Sequence, residues 1–324
     1  LIVKAKKIEA EISALQALLR RLHKSHQKRT QMEKDLSKRL AGFKGEQSME
    51  YYLSFLPKDY YLIFHHLRLQ GDQHHFQMDI FILSPAFFLI LEIKHISGKV
   101  IFDKDSSQLI RENNEEVEIY SDPVLQVNHQ RFQLIKWLEQ RKFQPIPIET
   151  LVVMTNPSSF IQFTPNSSSY KHTVIRSANF IAKMNALSQK HKEEKLTKKE
   201  LRKLSKLLIR HHIPKHINVL HQYNIVKSEI STGVHCPECF FIPLDRKGRK
   251  WYCPKCKMFS KIAYIASLKD YCLLFQPTIT NLEARTFLQI TSESTTRKLL
   301  MEMNLPHSGT TKGRVYHLYF DDWD

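Results

Sequence analysis

The chain has 324 residues, of which 42% are hydrophobic and 25% charged, and it carries a formal net charge of +17. That length accommodates two or three domains, and the ordinary apolar fraction excludes a fibrous or wholly disordered chain. No run approaches the roughly 18 uncharged apolar residues of a membrane span, and the lysine-bearing N-terminus lacks the apolar core of a secretory signal, so neither is expected.

The charge is concentrated. Residues 1–44 hold 12 Lys/Arg against 4 Asp/Glu, and residues 183–216 hold 11 against 3. Two such segments are the electrostatic footprint of a polyanion binder, or else two solvated helix faces. Neither has the aromatic apolar face of a membrane-surface helix.

Residues 5–40 read as helix. Ile8, Ile12, Leu15, Leu18, Leu19 and Leu22 make one apolar stripe, which resumes at Met32, Leu36 and Leu40 after a polar break at Ser25 to Arg29. Two helices in a hairpin fit that break. Gly42 and Gly45 flank the entry to a helix over 46–56, stopped by Pro57, with Tyr51, Tyr52, Leu53 and Phe55 as its core face. Tyr60 to Leu69 reads as a strand. His65, His66, His74 and His75 offer metal ligands by type but not by spacing.

A hairpin follows. Residues 76–83 alternate, with Phe76, Met78, Ile80 and Ile82 on one face and Gln77, Asp79, Phe81 and Leu83 on the other. Ser84-Pro85 is the turn, and Phe87 to Ile93 is apolar enough for a strand buried on both faces. That strand ends in Glu92 and Lys94, which share a face. A carboxylate and an ammonium there are costly to bury unpaired, which points to a site. Asp79 and Glu92 are hard oxygen ligands for Mg²⁺ or Mn²⁺, the Ile93 carbonyl can add a third, and Lys94 can orient or help deprotonate an attacking water. The plain alternative is a strand end whose Glu92 and Lys94 pair in solvent.

Val100 to Phe102 continues as strand, and 108–120 resembles a polar hairpin around Glu112-Asn113-Asn114-Glu115. Asp122-Pro123 opens a helix over 125–140, and 149–154 is a buried strand.

Gly45-Glu46, Gln77-x-Asp79, Glu92-Ile93-Lys94-His95 with Gly98, and Asp122-Pro123-Val124-Leu125-Gln126 together resemble the NERD (nuclease-related) domain, similar to the PD-(D/E)XK restriction-endonuclease-like group. The match covers roughly residues 43–160. The resemblance implies a mixed central sheet flanked by helices. It implies Asp79 and Glu92 as metal ligands, Lys94 as catalytic lysine, Glu46 reaching the metal from the first core helix, and Gln126 as an auxiliary group. Two positions depart from the pattern: Met78 precedes Asp79 in place of proline, and His95 stands where Asn is common.

Residues 157–170 read as a Ser/Asn/Pro loop and 178–187 as a helix. Leu196 to His212 is a basic amphipathic helix, with Leu201, Leu204, Leu207 and Leu208 on one side. Its lysines would meet phosphate without reading sequence.

Cys236-x-x-Cys239 and Cys253-x-x-Cys256, thirteen residues apart, place four thiolates for tetrahedral Zn²⁺. The spacer has the strand–Gly turn–strand pattern of a zinc ribbon, and four ligands make a closed, structural site. Redox pairs or two disulfides are the other reading. Cys272 is left as a core thiol. Free cysteines without a secretion signal point to a reducing cytoplasm. Arg246, Lys247, Arg249, Lys250 and Trp251 crowd the hairpin tip, a nucleic-acid contact or a solvated turn. Helices over 282–289 and 295–303 and a strand over 314–320 are similar to a helix-turn-helix with a β-wing, presenting Thr295, Thr296, Arg297 and Lys298. A helical hairpin capping the ribbon is the alternative, and the acidic end Asp321-Asp322-Trp323-Asp324 would repel DNA locally.

The expected architecture is α/β. Basic helices span 1–42, a restriction-endonuclease-like domain 43–182, a basic helical linker 183–232, a zinc ribbon 233–266 and a helix-turn-helix-like tail 267–324. The expected function is a cytoplasmic, bacterial, Mg²⁺- or Mn²⁺-dependent nuclease that hydrolyses phosphodiester bonds, with a structural Zn²⁺ ribbon and a helix-turn-helix-like tail holding the substrate. Its expected partner is nucleic acid, DNA rather than RNA because no base-stacking aromatic platform is evident. The rivals are a non-catalytic DNA-binding protein with a vestigial nuclease fold, and a protein-interaction scaffold.

Overall fold

In the computed structural model, which describes residues 1–113, 116–215, 217–310 and 313–320, the apolar strand Phe88–Lys94 lies inside a six-stranded mixed sheet. The chain divides into two units, Leu1–Lys6 with Ala41–Lys215 and Lys7–Leu40 with His216–Asp324.

The sheet of the first unit runs Ile2–Lys4, Leu62–Gln70, His75–Leu83, Phe88–Lys94, Ile148–Met154, Val174–Arg176. The second to fourth strands form an antiparallel meander, and the fifth joins parallel, with Glu92 opposite Val152 and Lys94 opposite Met154. Both faces are covered, which is why Phe88–Lys94 reads as unbroken hydrophobicity. Phe88 and Ile90 pack towards the helices Pro123–Glu139 and Lys198–Arg210, through Val127, Leu134, Trp137, Leu201, Leu204 and Leu208. Leu89, Leu91 and Ile93 pack on the other face against Met49, Leu53, Phe180 and Met184. Each such fully buried side chain contributes roughly 1.5–3 kcal/mol.

Several local expectations hold. Ser84 Oγ donates to the Phe87 carbonyl at 2.6 Å and closes the hairpin turn. Asp122 caps the next helix, its Oδ1 accepting from Val124 N at 2.7 Å, with Pro123 at the first position. Thr197 and Glu200 form a capping box on the basic helix.

Others change. Gly42 and Gly45 do not flank a separate helix but lie inside one that runs Arg29–Leu53. Gly45 is there for packing: a Cβ would collide with the His95 side chain and lie 2.8 Å from Thr155 Oγ1. On the same helix Leu53 is buried, but Tyr51 is 65% exposed and Phe55, just beyond it, 58%. The strict alternation of 76–83 fails at Asp79: Phe76 and Met78 share a core cluster with Phe81 and Leu83, while Ile80 and Ile82 face the opposite one. The neighbouring strand changes phase at the same level, where His66 adopts φ 49°. The 157–170 stretch is the strand Ser159–Phe163 followed by a 3₁₀ helix, Pro165–His172. Ile161 and Phe163 pack on the core while Ser and Asn flank them, which hid the strand. It extends a four-stranded sheet ordered Glu116–Ser121, Gln108–Asn113, Gly98–Asp103, Ser159–Phe163. Asn114 and Glu115, in the turn of the polar hairpin, lie outside the described residues, as do Asp321 to Asp324.

In the second unit, the first helix begins at Ala10, leaving Ile8 exposed, and ends at Arg21. Its stripe packs with Met32, Val219, Leu220, Tyr223 and Ile230. Arg21 is fully buried, its Nε 2.7 Å from Asp270 Oδ2 and its Nη1 bonded to the carbonyls of Ser231 and Gly233. The strands Asp245–Lys247, Lys250–Tyr252 and Phe259–Ser260 form the antiparallel sheet beside the cysteines, turning at Gly248 with φ 62°. The tail places helices Ala263–Leu274, Asn281–Leu288 and Glu293–Glu302 with a small sheet ordered Thr278–Thr280, Val315–His317, His307–Ser308. Among the described residues no helix is long and apolar enough to cross a membrane.

Candidate active site

The phase change at Asp79 turns its carboxylate to the end of the Glu92 strand. Asp79 Oδ2 accepts the Ile93 N–H at 2.9 Å. Glu92 is 2% exposed, with Oε1 2.7 Å from Lys94 Nζ and Oε2 accepting from Gln130 Nε2 at 3.0 Å. Lys94 also donates to Gln126 Oε1 at 3.3 Å. Glu46 arrives from the Arg29–Leu53 helix, its Oε2 lying 2.8 Å from His66 Nε2 and 3.2 Å from Lys6 Nζ. The fold thus brings Asp79, Glu92, Lys94 and Gln126 together, with Glu46 close enough to act on Asp79 electrostatically.

Burial, then the charges of Glu92 and Glu46, push the Asp79 pKa well above the usual carboxylate range, with Lys94 and the Ile93 N–H opposing. Burial alone would lower Lys94, but Glu92 and Asp79 outweigh it and raise its pKa above the ordinary lysine value. Lys94 therefore stays a cation at neutral pH. Burial would raise Glu46, but the His66 hydrogen bond and charge, with Lys6, bring it below its usual value.

The sequence reading missed three participants. Gln130 follows Gln126 by one helical turn, and that spacing could have found it. The sequence marks His66 only as a metal ligand by type, and nothing local pairs it or Lys6 with Glu46, because both reach that carboxylate only through the fold. His95, the departure from the family pattern, bonds through Nδ1 to Thr155 Oγ1 at 2.9 Å. His65 lies beside Glu50, with Nε2 3.0 Å from Oε1.

The residues fit a hard divalent cation. Neighbouring oxygen donors, one of them driven towards its protonated form by burial and then by like charge, are what such an ion relieves. The four cysteines fit Zn²⁺. Their sulfurs lie within 4.8 Å of one another, with Cys236–Cys256 at 3.6 Å and Cys239–Cys253 at 3.5 Å. A tetrahedron with zinc–sulfur bonds of about 2.3 Å needs sulfurs about 3.8 Å apart. Each knuckle aims an N–H at a sulfur, Cys239 N to Cys236 Sγ at 3.5 Å and Cys256 N to Cys253 Sγ at 3.4 Å. Burial would raise the Cys253 thiol, but the N–H groups of Cys256 and Lys255 and the neighbouring thiols bring it down to about 7. Cys272 is partly buried, its thiol pushed up to about 11 by burial.

The basic segments diverge. Much of the N-terminal charge is spent internally: Arg21 on Asp270 at 2.7 Å, Arg29 on Glu33 at 2.9 Å, Arg39 on Glu11, and Lys28 on the Tyr223 carbonyl at 2.5 Å. On the Lys198–Arg210 helix, by contrast, Lys198, Lys199, Arg202, Lys203, Lys206 and Arg210 all lie on the exposed face. At the ribbon tip Trp251 is buried, with Arg246 stacked on its ring at 5.2 Å, so it is no surface platform. In the tail Arg297 and Lys298 are exposed, but Thr296 is buried and bonds to the Ser292 carbonyl.

Neither the curated proteins nor the solved structures give a match to the chain. A family model does: residues 41–155, just over a third of the chain and the stretch that holds Glu46, Asp79, Glu92, Lys94, Gln126 and Gln130, match NERD, the nuclease-related domain.

Proposed function

We propose that the first unit hydrolyses phosphodiester bonds in DNA with Mg²⁺ or Mn²⁺ held by Asp79 and Glu92. The carrying observation is the convergence of Asp79, Glu92 and Lys94 just beyond the point where the pairing of their two strands stops, with Lys94 Nζ 2.7 Å from Glu92. The ion supplies Lewis-acid charge at the scissile phosphate. Lys94, kept cationic, orients the attacking water and offsets charge developing on phosphorus oxygens, so the base for that water lies elsewhere. Gln126 and Gln130 fix Lys94 and Glu92, and Glu46, held by His66 and Lys6, completes the acidic cluster.

The exposed cations of the Lys198–Arg210 helix give phosphate a sequence-independent seat. The helix-turn-helix-like tail supports duplex DNA as substrate and the four-thiolate ribbon supports a structural Zn²⁺, in the five-segment organisation and reducing cytoplasm expected from the sequence. One observation favours the non-catalytic reading: Lys94 is satisfied internally by Glu92 and Gln126, as in a structural ion cluster.

The test incubates the protein with plasmid, linear duplex and single-stranded DNA, with Mg²⁺, Mn²⁺ or EDTA, beside Asp79→Ala and Lys94→Ala. Metal-dependent cleavage lost in both variants supports the proposal. Binding without cleavage on every substrate sinks it in favour of the non-catalytic reading, and cleavage that survives in both variants refutes the residue assignment.

A further inference from the structure

The first zinc knuckle carries a feature that the ribbon's structural role does not use. Phe240 follows Cys239 directly and sits at φ 59°, a conformation that bulky side chains rarely adopt. The knuckle imposes it: Phe240 N–H bonds to the Cys236 carbonyl at 3.0 Å. The ring is not taken into the core in return, since Phe240 remains 53% exposed. The second knuckle repeats the turn at Lys257, φ 63°, whose N–H bonds to the Cys253 carbonyl at 2.9 Å, so the backbone is the knuckle's own and what sets Phe240 apart is an aromatic ring left largely exposed there.

Phe240 lines a cavity of about 600 Å³ whose other walls include Arg20, Lys24, Arg29 and Lys255, with no carboxylate among the lining residues. The Arg20 guanidinium lies 4.9 Å from the ring centroid. Arg20 and Arg29 are held by Asp270 and Glu33. Lys24 and Lys255 are exposed, and no hydrogen bond or ion pair of their side-chain ammonium groups is seen among the described residues. A ligand here meets a half-exposed aromatic ring with Arg20 beside it, two exposed ammonium groups and a cationic floor. Such a set suits a stackable base attached to phosphate. It also provides the aromatic platform that the sequence reading did not find.

We propose that this cavity binds single-stranded nucleic acid, with a base stacked on Phe240 and the adjoining phosphates at Lys24 and Lys255. The site is independent of the cleavage proposed for the first unit. Its size lies within the range of ordinary ligand pockets and admits about one nucleotide at a time.

The test uses the zinc-loaded full-length protein without added Mg²⁺ or Mn²⁺. Fluorescence anisotropy follows a labelled oligothymidylate and a duplex of equal length, with thymidine monophosphate and inorganic phosphate as competitors. Phe240→Ala weakens single-strand binding roughly 5- to 150-fold, the loss of one stacked base. Phe240→Leu, which keeps apolar bulk, does not restore it. Lys24→Ala and Lys255→Ala each reduce the slope of log K against log salt by about 0.7. The lysine variants alter only exposed side chains, so they test the site even if Phe240 variants lose zinc. Asp79→Ala keeps the binding, which separates failure here from failure of the nuclease reading. Full single-strand affinity in zinc-replete Phe240→Ala, or unchanged salt slopes in both lysine variants, overturns the proposal. Competition by the monophosphate or by phosphate as strong as by the oligonucleotide overturns it too, in favour of a free-anion site.

Discussion

Asp79→Asn is expected to make the metal-free protein more stable while abolishing the proposed cleavage. The change keeps side-chain volume, and the amide oxygen can still accept the Ile93 N–H that Asp79 Oδ2 accepts at 2.9 Å. What it removes is a charge facing Glu92 and Glu46. Carboxylates on neighbouring strands roughly 5–6 Å apart repel by about 3 kcal/mol at an effective dielectric constant near 20. Lys94, bonded to Glu92, cancels most of that. A net gain of about 1 kcal/mol remains, or roughly 2–4 °C in melting temperature for a unit of this size. The gain depends on pH. The folded-state pKa of Asp79 is raised, so the stability its bound proton contributes is fully present below the unfolded value near 3.9 and is lost as pH rises through the folded one. The variant should therefore match the parent near pH 4 and exceed it increasingly towards alkaline pH. Saturating Mg²⁺ should reverse the order, since an ion at about 100 times its Kd stabilises the parent by about 2.7 kcal/mol and has lost a ligand in the variant. Thermal melts by circular dichroism at several pH values, with and without Mg²⁺, read all of this. A variant that melts below the parent at pH 8 without metal would refute the argument, because it would show Asp79 to be a net structural contributor.

Three further outcomes follow from the same geometry. His65 is fully buried, and burial, then the charges of His66 and Lys6, holds its pKa down to about 4, so stability present above the unfolded value of 6.5 is lost as pH falls towards 4. The loss is about 3 kcal/mol from this group, and His65→Leu should flatten the slope in melts between pH 7 and 4.5. Gly42→Ala, with nothing within 4 Å of the new Cβ, should stabilise the Arg29–Leu53 helix by about 0.5–1 kcal/mol, whereas Gly45→Ala should destabilise by about 1–3 kcal/mol through its clash with His95 and Thr155; chemical denaturation of both reads the opposite signs. Elemental analysis should give about one zinc per parent chain and none in Cys253→Ser, which should also melt the second unit at lower temperature with a loss of several kcal/mol.

Local chemistry was readable in the sequence where it sat on consecutive residues. The Ser84 turn, the apolar strand ending in Glu92 and Lys94, the Asp122 cap and the two cysteine knuckles each combine a local signal with a local structure, and the mixed α/β class follows from their order. Long-range pairing hid the rest. Gly45 reads as a helix breaker, and only its approach to His95 and Thr155 explains a glycine in mid-helix. Asp79 reads as one member of an alternating face, and only the phase change beside His66 turns it from that face. Net charge told least about placement: residues 1–44 hold 12 cations, several of which close internal ion pairs while Lys24 stays exposed, and the Lys198–Arg210 helix keeps its charge outside.

The positions where local rules break separate into two groups by what the break achieves. Gly45 lowers helix propensity by about 1 kcal/mol and is repaid by close packing, so its peculiarity is structural. At Asp79 the fold assembles carboxylates that repel, and at Phe240 it holds a ring in a left-handed conformation that is packed only by Arg20 and His235 and stays 53% exposed. A sequence selected for stability alone would replace the first by an amide and the second by glycine. Both instead stand beside cations, Lys94 at the first, Lys24 and Lys255 at the second. On the two proposals made above, one chemical partner, phosphate, would account for both departures from stable design, one in each unit.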